Sequence, residues 1–367
     1  MAFLFEPFLA LPEYRIHTSE MLTALQAKVD GPLFERVKNF PVGVETRYFV
    51  NDLPDVLEPG TMQTRNKRAL PGTRALAKEA LLGALEKARL LGRQIDYLLV
   101  SNTTIPHMPG IDVWLNNDEE LGLRRDIRRL PFTQLGCVGG AHTIALAAEI
   151  ADANPGKNIA VVIPEALNTI FHPRKDKLSS QLWPLVFGDS ATAFVVSSPR
   201  DRTSRRTRGA CMEVTDSWYH LVEDMMSTFE LDPQGDKLDF LSERGAHQAV
   251  LAIQDPLTKW MTADDPDWRP ETVIGHAGGP AVLKNLAKML GFPEDRDHPD
   301  NLLKEAWKSL EECANLGGGS AVHGLLLKAQ QPARPGSPTL GVAIGPGITA
   351  AAWRGVMLDP NDVPAVA

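Results

Sequence analysis

The sequence predicts an α/β fold built from two similar halves. Short runs of β-branched and other apolar residues alternate with longer amphipathic segments, a pattern typical of helices that cover a sheet. Each half also places a glycine-rich turn between a predicted strand and a predicted helix, around Cys137 in the first half and around His276 in the second. The length of 367 residues suits two domains, or one large fold of two related parts.

The first half begins with an apolar segment, residues 1–11, that reads as a strand. Glu6 and Pro7 interrupt it and it lacks a basic leader, so we do not interpret it as a signal peptide. Hydrophobic periodicity then predicts helices over Ala69–Leu91 and Ala141–Ala151, and buried strands at Tyr97–Val100, Ile159–Ile163 and Thr192–Val196.

The polar segment Pro199–Arg208 is the predicted crossover, which divides the chain into halves 1–205 and 206–367. The second half is predicted to contain strands at Thr272–Ile274 and Leu340–Ile344, and helices at Ala281–Leu290 and Ala321–Ala329. Two segments rich in Asp and Pro, Met261–Pro270 and Phe292–Asn301, are predicted surface loops.

Composition excludes several classes of protein. The net charge is −8, from 46 acidic and 38 basic residues, so nothing in the overall charge suggests a nucleic-acid or membrane partner. No apolar stretch is long enough to cross a membrane. The three cysteines are far apart and show no zinc-ligand spacing, which indicates a reducing compartment without a disulfide framework or a metal site. We therefore expect a cytoplasmic protein.

Cys137 is the first candidate for chemistry. It lies between the strand-like run Leu130–Thr133 and a predicted helix, so its thiol would be close to a helix N-terminus. The dipole and the unpaired N–H groups there favour thiolate over thiol. The flanking glycines let the carbonyl of another molecule approach, as a nucleophile requires. A buried structural cysteine beside a tight turn is the alternative.

His276 and Asn315 are the second and third candidates. His276 ends a predicted strand and is followed by glycines that leave space around an imidazole able to bind a carbonyl oxygen or move a proton. Asn315 precedes Gly317–Gly319 and an apolar helix, where its amide could donate to a developing oxyanion. Taken singly, each could instead cap a helix.

Together and in this order, these settings resemble the thiolase-fold condensing enzymes, and most of all the bacterial branch of the type III polyketide synthases, the chalcone synthase-like family. The resemblance runs from about Pro12 to Gly355, and it implies a thiolase fold in which two βα halves form a layered αβαβα arrangement. Its landmarks are Gly136-Cys137 with Gly139-Gly140, Val186-Phe187-Gly188-Asp189, His276-Ala277-Gly278-Gly279-Pro280, Asn315, and Gly345-Pro346-Gly347-Ile348-Thr349.

The resemblance also implies a reaction. Cys137 would take an acyl group from a CoA thioester, while His276 and Asn315 would hold the thioester oxygen of malonyl-CoA as CO2 leaves. The resulting enolate would attack the Cys137 thioester in a Claisen condensation. His276 could also favour the thiolate as a nearby cation. The reaction implies acyl-CoA and malonyl-CoA as substrates, and no metal or tightly bound cofactor.

Further positions are implied by the same resemblance, each with core packing or surface charge as an equal alternative. They are Phe187 and Phe229 as an aromatic pair between the CoA tunnel and the cavity, Thr103 and Ile170 on the cavity wall, Met108 reaching across a homodimer interface, Arg36, Lys38 and Ala281 against CoA, and the turn Gly345, Pro346 and Gly347 beside the tetrahedral intermediate.

Two positions depart from the family. Ile170 is apolar where plant members often carry a hydroxyl, which favours an apolar acyl chain or a tight aromatic fold. Gly317–Gly319 replaces a serine-rich stretch, so we expect a more open or more mobile cavity floor. The starter unit, the number of extensions and the product do not follow from the sequence.

Other functions stay open at this level. The same fold could perform a single condensation or an acyl transfer with an acyl carrier protein, for which the arginine cluster Arg124–Arg129 would offer a docking rim; a solvated helix end is the simpler interpretation of that cluster. A Cys-His-Asn hydrolase would use the same residue types, but the repeated halves argue against it. The intact trio argues against a non-catalytic subunit.

Overall fold

A computed structural model describes residues 1–29, 31–58, 60–171, 178–199, 209–234, 236–243, 245–332 and 334–359. The strands are β1 (Ala2–Phe5), β2 (Phe8–Ala10), β3 (Tyr14–His17), β4 (Thr46–Phe49), β5 (Tyr97–Ser101), β6 (Arg128–Phe132), β7 (Asn158–Glu165), β8 (Ser190–Ser197), β9 (Ala210–Leu221), β10 (Phe229–Gln234), β11 (Lys237–Ser242), β12 (Thr272–Gly275), β13 (Pro338–Gly345) and β14 (Thr349–Met357). The α-helices are α1 (Thr18–Gln26), α2 (Gly31–Lys38), α3 (Leu53–Val56), α4 (Met62–Lys87), α5 (Ile111–Asn117), α6 (Gly139–Ala153), α7 (Leu178–Val186), α8 (Gln254–Met261), α9 (Pro280–Met289), α10 (Lys304–Cys313) and α11 (Gly319–Ala329).

The predicted helices and strands are present, except that residues 1–11, predicted as one strand, form the two short strands β1 and β2. Most of the others are longer than predicted. The largest difference is α4, which begins at Met62 where the periodicity suggested Ala69. Thr61 caps this helix, because its side chain accepts a hydrogen bond from the backbone N–H of Thr64 at 3.1 Å. The predicted crossover and the boundary at residues 205 and 206 fall on residues 200–208, which lie outside the described residues.

Ten of the described strands form one mixed sheet. Its path runs β12-β13-β14-β9-β1-β8-β7-β5-β6, and β2 pairs with β8. The pairs β5–β6, β5–β7 and β12–β13 are parallel. The two halves of the chain are joined where β1 pairs antiparallel with β9, with Phe3 opposite Glu213. The first half therefore provides one side of a continuous sheet and the second half the other.

Successive residues of each strand face different helices, because side chains alternate across a sheet. In β7, Val161 packs in a core with α6 and α11, whereas Val162 packs in a core with α4. In β13, Ala343 belongs to the core around α6 and α11, whereas Val342 packs with α9 and α10. Helices α6 and α11 thus lie between two parts of the sheet, and outer helices cover it on both sides. This is the predicted αβαβα layering.

Glycines allow the start of α6 and the turn before α11 to pack directly against each other. A Cβ atom on Gly140 would lie 2.2 Å from the carbonyl oxygen of Gly318, and one on Gly318 would lie 3.2 Å from the carbonyl oxygen of Gly136. Residues 317–319 are buried. The floor at these glycines is therefore closely packed, and the predicted open floor is wrong there. The contact brings the turn around Cys137 against the segment that follows Asn315.

Strands β10 and β11 form a separate hairpin in which Leu231 lies opposite Phe240. The hairpin packs against α7, the 3₁₀ turn Leu167–Ile170 and the 3₁₀ turn Pro346–Ile348. It therefore covers the point where the two halves meet. In the described part of the chain no helix has the length and apolar character needed to span a membrane, and no group of three or more His, Cys, Asp or Glu side chains is arranged to hold a metal ion.

Substitution of Gly140 by alanine should destabilise the fold. The added methyl group would meet the backbone of Gly318, which cannot move aside as a side chain can, and overpacking of this kind costs about 1–3 kcal/mol. We expect Gly140→Ala to lower the midpoint of a thermal melt followed by circular dichroism. Gly324→Ala in α11 is the matched control, since its new Cβ would have only ordinary contacts, the nearest at 3.5 Å. That variant should melt at or above the wild-type temperature, and equal midpoints for all three proteins would contradict the described contact.

Candidate active site

An apolar cavity lies beneath the β10–β11 hairpin at the junction of the two halves. Its volume is about 40 Å³. The residues that line it come from both halves and from the hairpin: Thr103, Thr104, Gly136, Cys137, Glu165, Leu167, Ile170, Phe187, Leu231, Phe240, Gly317 and Pro346. Wider grooves open at the surface, such as the one beside His17 and Arg296, but they contain none of the candidate residues.

Cys137 sits in the 3₁₀ turn Gly136–Val138, immediately before α6. Gly136 has a φ of +55°, and a Cβ on it would lie 2.7 Å from Cδ of Pro346. A Cβ on Gly345 would likewise lie 2.8 Å from the carbonyl oxygen of Leu135. The predicted turn Gly345–Gly347 therefore packs directly on the turn that carries the thiol, and glycine is required on both sides of this contact.

Asn315 joins this turn from the second half. Its Nδ2 atom lies 4.0 Å from Sγ of Cys137. Its Oδ1 atom accepts hydrogen bonds from the backbone N–H of Gly317 at 2.9 Å and from the hydroxyl of Ser320 at 3.2 Å. Because the oxygen is occupied in this way, the amide NH2 group is directed toward the thiol. The structure therefore defines the orientation of the Asn315 amide as a donor, which the sequence only suggested.

The backbone around Asn315 is tied to the segment Val186–Gly188. The N–H of Asn315 donates to the carbonyl of Val186 at 2.9 Å, and the N–H of Gly188 donates to the carbonyl of Asn315 at 3.1 Å. Ala314 has a φ of +66°, a conformation that costs a non-glycine residue about 1–3 kcal/mol. The strain is held by the surrounding hydrogen bonds, and it places Phe187 and Asn315 side by side.

His276 is buried at the end of β12, against the same asparagine. A Cβ on Gly278 would lie 2.7 Å from Cε1 of His276, so the glycine leaves room for the imidazole. Among the described residues no group forms a hydrogen bond with the buried Nε2 atom of His276. An unpaired buried nitrogen costs free energy unless a ligand satisfies it. The arrangement is that of a binding group for a carbonyl oxygen.

Burial controls the protonation of both groups. It raises the pKa of the Cys137 thiol to about 12, an effect that the nearby Asn315 partly opposes. It lowers the pKa of His276 to about 4, again partly opposed by Asn315. The buried imidazole and the thiol of the half-buried Cys137 are therefore both driven toward their neutral forms. This differs from the thiolate and the cationic histidine expected from the sequence, because exclusion of water outweighs the helix start.

The aromatic pair at the cavity is Phe187 and Phe240. Their ring centres lie 5.6 Å apart at 86°, and Trp183 packs on Phe240 at 4.9 Å. Phe229, the predicted partner, does not line the cavity but stacks on Phe240 at 6.3 Å. Phe229 and Phe240 belong to the two opposite strands of the β10–β11 hairpin. A hairpin register could not be read from the sequence, and so the choice between them was missed.

The other predicted positions divide into three groups. Thr103 and Ile170 line the cavity as expected. Met108 lies outside it and is 93% exposed. The predicted CoA contacts Arg36, Lys38 and Ala281 are exposed, the first two in the last turn of α2 and the third in the first turn of α9. The loop after α2 touches the start of α9 at Gly43 and Pro280.

The arginine cluster is not a helix end. Arg124 and Arg125 lie in the turns after α5, and Arg128 and Arg129 lie in β6. Arg124 pairs with Asp96 at 3.3 Å, and Arg129 pairs with Asp112 at 2.5 Å. The interpretation as a helix end is therefore wrong about the location, and two of the four arginines are paired with the chain's own carboxylates.

Five cavity residues were not singled out from the sequence: Thr104, Glu165, Leu167, Leu231 and Phe240. Leu231 and Phe240 reach the cavity from the β10–β11 hairpin. Glu165 is the last residue of β7, two residues beyond the strand predicted over Ile159–Ile163, and it is only 1% exposed. A glutamate at a strand end usually faces solvent, and only its tertiary surroundings place this one inside.

Comparison of the sequence with known families and proteins gives consistent matches. A model of chalcone and stilbene synthases, N-terminal domain, matches residues 14–199. The 1,3,6,8-tetrahydroxynaphthalene synthase of Streptomyces coelicolor is 27% identical over 361 residues, covering 95% of this chain and 91% of the relative. The synthase of the same name from Streptomyces peucetius subsp. caesius is 28% identical over 367 residues, covering 93% and 89%.

Solved structures share the whole fold. Germicidin synthase from Streptomyces coelicolor, a type III polyketide synthase, superimposes with a TM-score of 0.87 at 28% identity and covers 97% of this chain and 99% of its own. The 1,3,6,8-tetrahydroxynaphthalene synthase from the same species, a bacterial type III polyketide synthase, gives a TM-score of 0.86 at 25% identity with the same coverage. The predicted fold class is confirmed.

Proposed function

The chain belongs to the chalcone and stilbene synthase family and is a type III polyketide synthase, and we propose that it condenses an acyl-CoA starter with malonyl-CoA on Cys137. The observation that supports this most is that Asn315 lies beside both Cys137 and His276, so that the three residues meet from two halves of the chain. Cys137 lines the cavity, whereas His276 lines a separate space of about 10 Å³. A condensing enzyme needs a nucleophile and donors for an enolate oxygen at a single point.

Acyl loading is the first proposed step. Sγ of Cys137 attacks the carbonyl carbon of the acyl-CoA, its proton passes to His276 or to the departing thiolate, and CoA leaves as the free thiol. The unpaired Nε2 atom of His276 supports a role as proton acceptor. The neutral thiol of the closed state has to ionise as the substrate enters, because the thiolate is the nucleophile.

Decarboxylation and condensation follow at the same place. The thioester oxygen of malonyl-CoA accepts hydrogen bonds from Nδ2 of Asn315 and from a protonated Nε2 of His276. Loss of CO2 leaves an enolate whose charge lies on that oxygen. The enolate carbon then attacks the Cys137 thioester, the C–S bond breaks, and a β-ketoacyl-CoA and the thiolate result. A neutral imidazole can serve as donor here, and the low pKa of His276, about 4, agrees with that form.

Delivery by CoA is favoured over delivery by an acyl carrier protein. The positions Arg36, Lys38 and Ala281 are exposed and so would be accessible to CoA phosphates. The alternative of a single condensation with a carrier protein relied on the arginine cluster, which is engaged with Asp96 and Asp112. No step of the proposed reaction requires a metal or a tightly bound cofactor. A cytoplasmic location agrees with three free cysteines in the described structure.

The first test is incubation with labelled malonyl-CoA and a panel of acyl-CoAs, followed by mass spectrometry of products and intact protein. We expect polyketides and an acyl adduct on Cys137 in the wild type. Cys137→Ala should lose the adduct and the polyketides but still release CO2, because the donors to the enolate oxygen remain. Asn315→Ala is the complement and should lose CO2 release, by about 10²–10³-fold, more than adduct formation.

Three results would contradict the assigned roles. Condensation by Cys137→Ala would exclude Cys137 as the nucleophile. Equal losses of loading and decarboxylation in Asn315→Ala would exclude a specific role in enolate stabilisation. Acyl adducts in the wild type without chain extension would support the acyl-transfer alternative.

The cavity wall should limit product length. The volume of about 40 Å³ holds little more than one water molecule, so a growing chain requires displacement of the wall. Leu231→Ala and Ile170→Ala each remove an apolar side chain from that wall, and we expect longer or altered products by mass spectrometry. Phe229→Ala, on the same hairpin but outside the cavity, is the control. The same change of product profile in all three variants would indicate a general loosening of the hairpin.

We also propose a homodimer. In the described structure β6 is an edge strand that pairs with β5 on one side only. Half-buried apolar side chains of β6 and α6 lie in the same part of the fold, Phe132 and Leu146 among them. The ring of His142 contacts both Phe132 and Tyr219, which is 39% exposed. A second copy covering this face would protect the edge and bring the exposed Met108 toward its partner.

Light scattering after size exclusion tests the dimer. The wild type should have twice the chain mass of 40.2 kDa. Leu146→Glu should shift the protein toward the monomer, since a charge would be buried in the contact. Phe40→Glu, which changes another exposed apolar residue, on the loop after α2, should remain dimeric. A monomeric wild type, or dissociation of both variants, would reject the proposed face.

A further inference from the structure

One wall of the cavity belongs to a part of the fold that is separate from the main sheet. In the described part of the chain, strands β10 and β11 pair only with each other. A hairpin of two strands is at best marginally stable in water, so its position depends on what it packs against. Leu231 and Phe240 stand opposite each other in this hairpin, and both line the cavity. The position of the hairpin therefore determines how much room exists in front of Cys137.

Trp183, near the end of α7, connects the hairpin to the rest of the site. Its Nε1 atom donates a hydrogen bond to the backbone carbonyl of Phe240 at 3.2 Å. Its ring packs against the edge of the Phe240 ring, with centres 4.9 Å apart at 76°, and lies 5.7 Å from the ring of Phe187. Aromatic rings prefer this edge-to-face geometry, and a tryptophan N–H taken out of water needs an acceptor. One side chain thus holds both the backbone and the ring of Phe240.

The α7 side of this contact is fixed to the candidate site. The backbone carbonyl of Trp183 accepts a hydrogen bond from the N–H of Phe187 at 3.0 Å, and the carbonyl of Val186 accepts one from the N–H of Asn315 at 2.9 Å. The indole ring therefore extends from a segment that is bonded to Asn315. Through it, the position of that segment is passed on to the hairpin.

The hairpin has a second attachment at its far end. In the turn between its strands, the carbonyl of Asp236 accepts a hydrogen bond from the N–H of Met62, at the start of α4. This attachment holds the tip of the hairpin, whereas Trp183 holds the part that faces the thiol. Loss of the Trp183 contacts should therefore let Phe240 move away from Cys137 while the tip stays attached.

The space in front of the thiol suits a small aliphatic group. The cavity measures about 40 Å³, and Leu167, Ile170, Leu231 and Phe240 form its apolar wall. Any acyl group must displace part of this wall, and the displacement grows with the size of the group. A short chain requires the least movement of Phe240, whereas a long chain or an aromatic ring requires the contacts with Trp183 to break.

We propose that Trp183 is a positioning residue that limits the size of the group able to reach Cys137, so that the favoured starters are short aliphatic acyl groups, from acetyl to butyryl. Larger aliphatic and aromatic acyl groups are disfavoured, because loading them displaces Phe240 in a single step. The inference deepens the proposed function and rests on it, since the starter is an acyl-CoA that is loaded on Cys137.

The first test is alkylation of Cys137, which needs no CoA ester. Iodoacetamide and the larger N-benzyl iodoacetamide react with sulfur at the same kind of carbon, so the ratio of their rates reports the room in front of the thiol. We expect Trp183→Ala to raise the ratio of the larger to the smaller reagent by about tenfold, the discrimination that a difference of one methylene produces in an apolar pocket. Mass spectrometry of peptides distinguishes Cys137 from the buried Cys211 and Cys313.

Two further variants separate a local opening from a general loss of structure. Trp183→Phe keeps a ring beside Phe240 but has no N–H, so its ratio should lie between those of the wild type and Trp183→Ala. Trp260→Ala is the matched control, because Trp260 is also half-buried and packs on another ring, that of Trp218 at 6.1 Å, but does not line the cavity. Its ratio should equal that of the wild type, even if its melting temperature falls.

The outcomes decide the proposal. An unchanged ratio in Trp183→Ala, or the same rise in Trp260→Ala, would overturn it. Reaction of Cys211 and Cys313 together with Cys137 in Trp183→Ala would show general unfolding and would also count against it. A rise confined to Cys137 and to the variants of Trp183 would support it.

The second test is loading from a mixture of acyl-CoA esters from acetyl to decanoyl, with benzoyl-CoA included, followed by mass spectrometry of the intact protein. The wild type should carry acetyl to butyryl groups, and Trp183→Ala should shift toward octanoyl and benzoyl groups. Equal loading of acetyl and decanoyl groups by the wild type would overturn the assigned starter class. Absence of every adduct would reject the proposed loading reaction, and the alkylation ratio would then decide the role of Trp183 by itself.

Discussion

The site depends on one constraint, the close approach of three backbone turns from different parts of the chain. The turns are Gly136–Val138, Gly317–Gly319 and Gly345–Gly347, and their contacts leave no room for side chains at Gly136, Gly140 or Gly345. Backbone packed on backbone cannot rearrange as side chains do. The positions of Cys137 and Asn315 are therefore set by the packing of the central layer, and the proposed nucleophile and its proposed donor meet across a sequence separation of 178 residues.

The same close packing explains the protonation states of Cys137 and His276. Because the turns and the hairpin exclude water, the thiol and the imidazole are each driven toward their neutral forms. Such a site, with neutral groups and incompletely paired donors, suits a substrate that supplies a polar oxygen as hydrogen-bond acceptor. Nε2 of His276 has no hydrogen-bond partner among the described residues, and Nδ2 of Asn315 makes only a long contact, 4.0 Å, with Sγ of Cys137. A thioester oxygen would give both groups an acceptor.

The sequence was most informative where backbone geometry demands a particular residue. Glycine-rich turns identified Cys137, His276, Asn315 and the turn at Gly345, and alternating apolar runs predicted the strands. It was least informative where tertiary contacts determine which residues are buried in the site. The choice of Phe240 over Phe229 depends on hairpin register, the closed floor at Gly318 depends on a contact with Gly140, and the burial of Glu165 in the cavity depends on where β7 ends inside the fold. None of these contacts has a local signature.

An acid beside the proposed nucleophile would oppose the reaction if both groups were ionised, but the charges need not coexist. In the proposed reaction malonyl-CoA would bring a carboxylate into the apolar cavity, where it would be poorly solvated. Loss of neutral CO2 moves the negative charge to the thioester oxygen, beside the donors of His276 and Asn315. An ionised Glu165 would repel both forms, and burial favours its protonated state up to about pH 7. With Glu165 neutral, the cavity holds one negative charge at a time: on sulfur during loading, and on the enolate oxygen during extension.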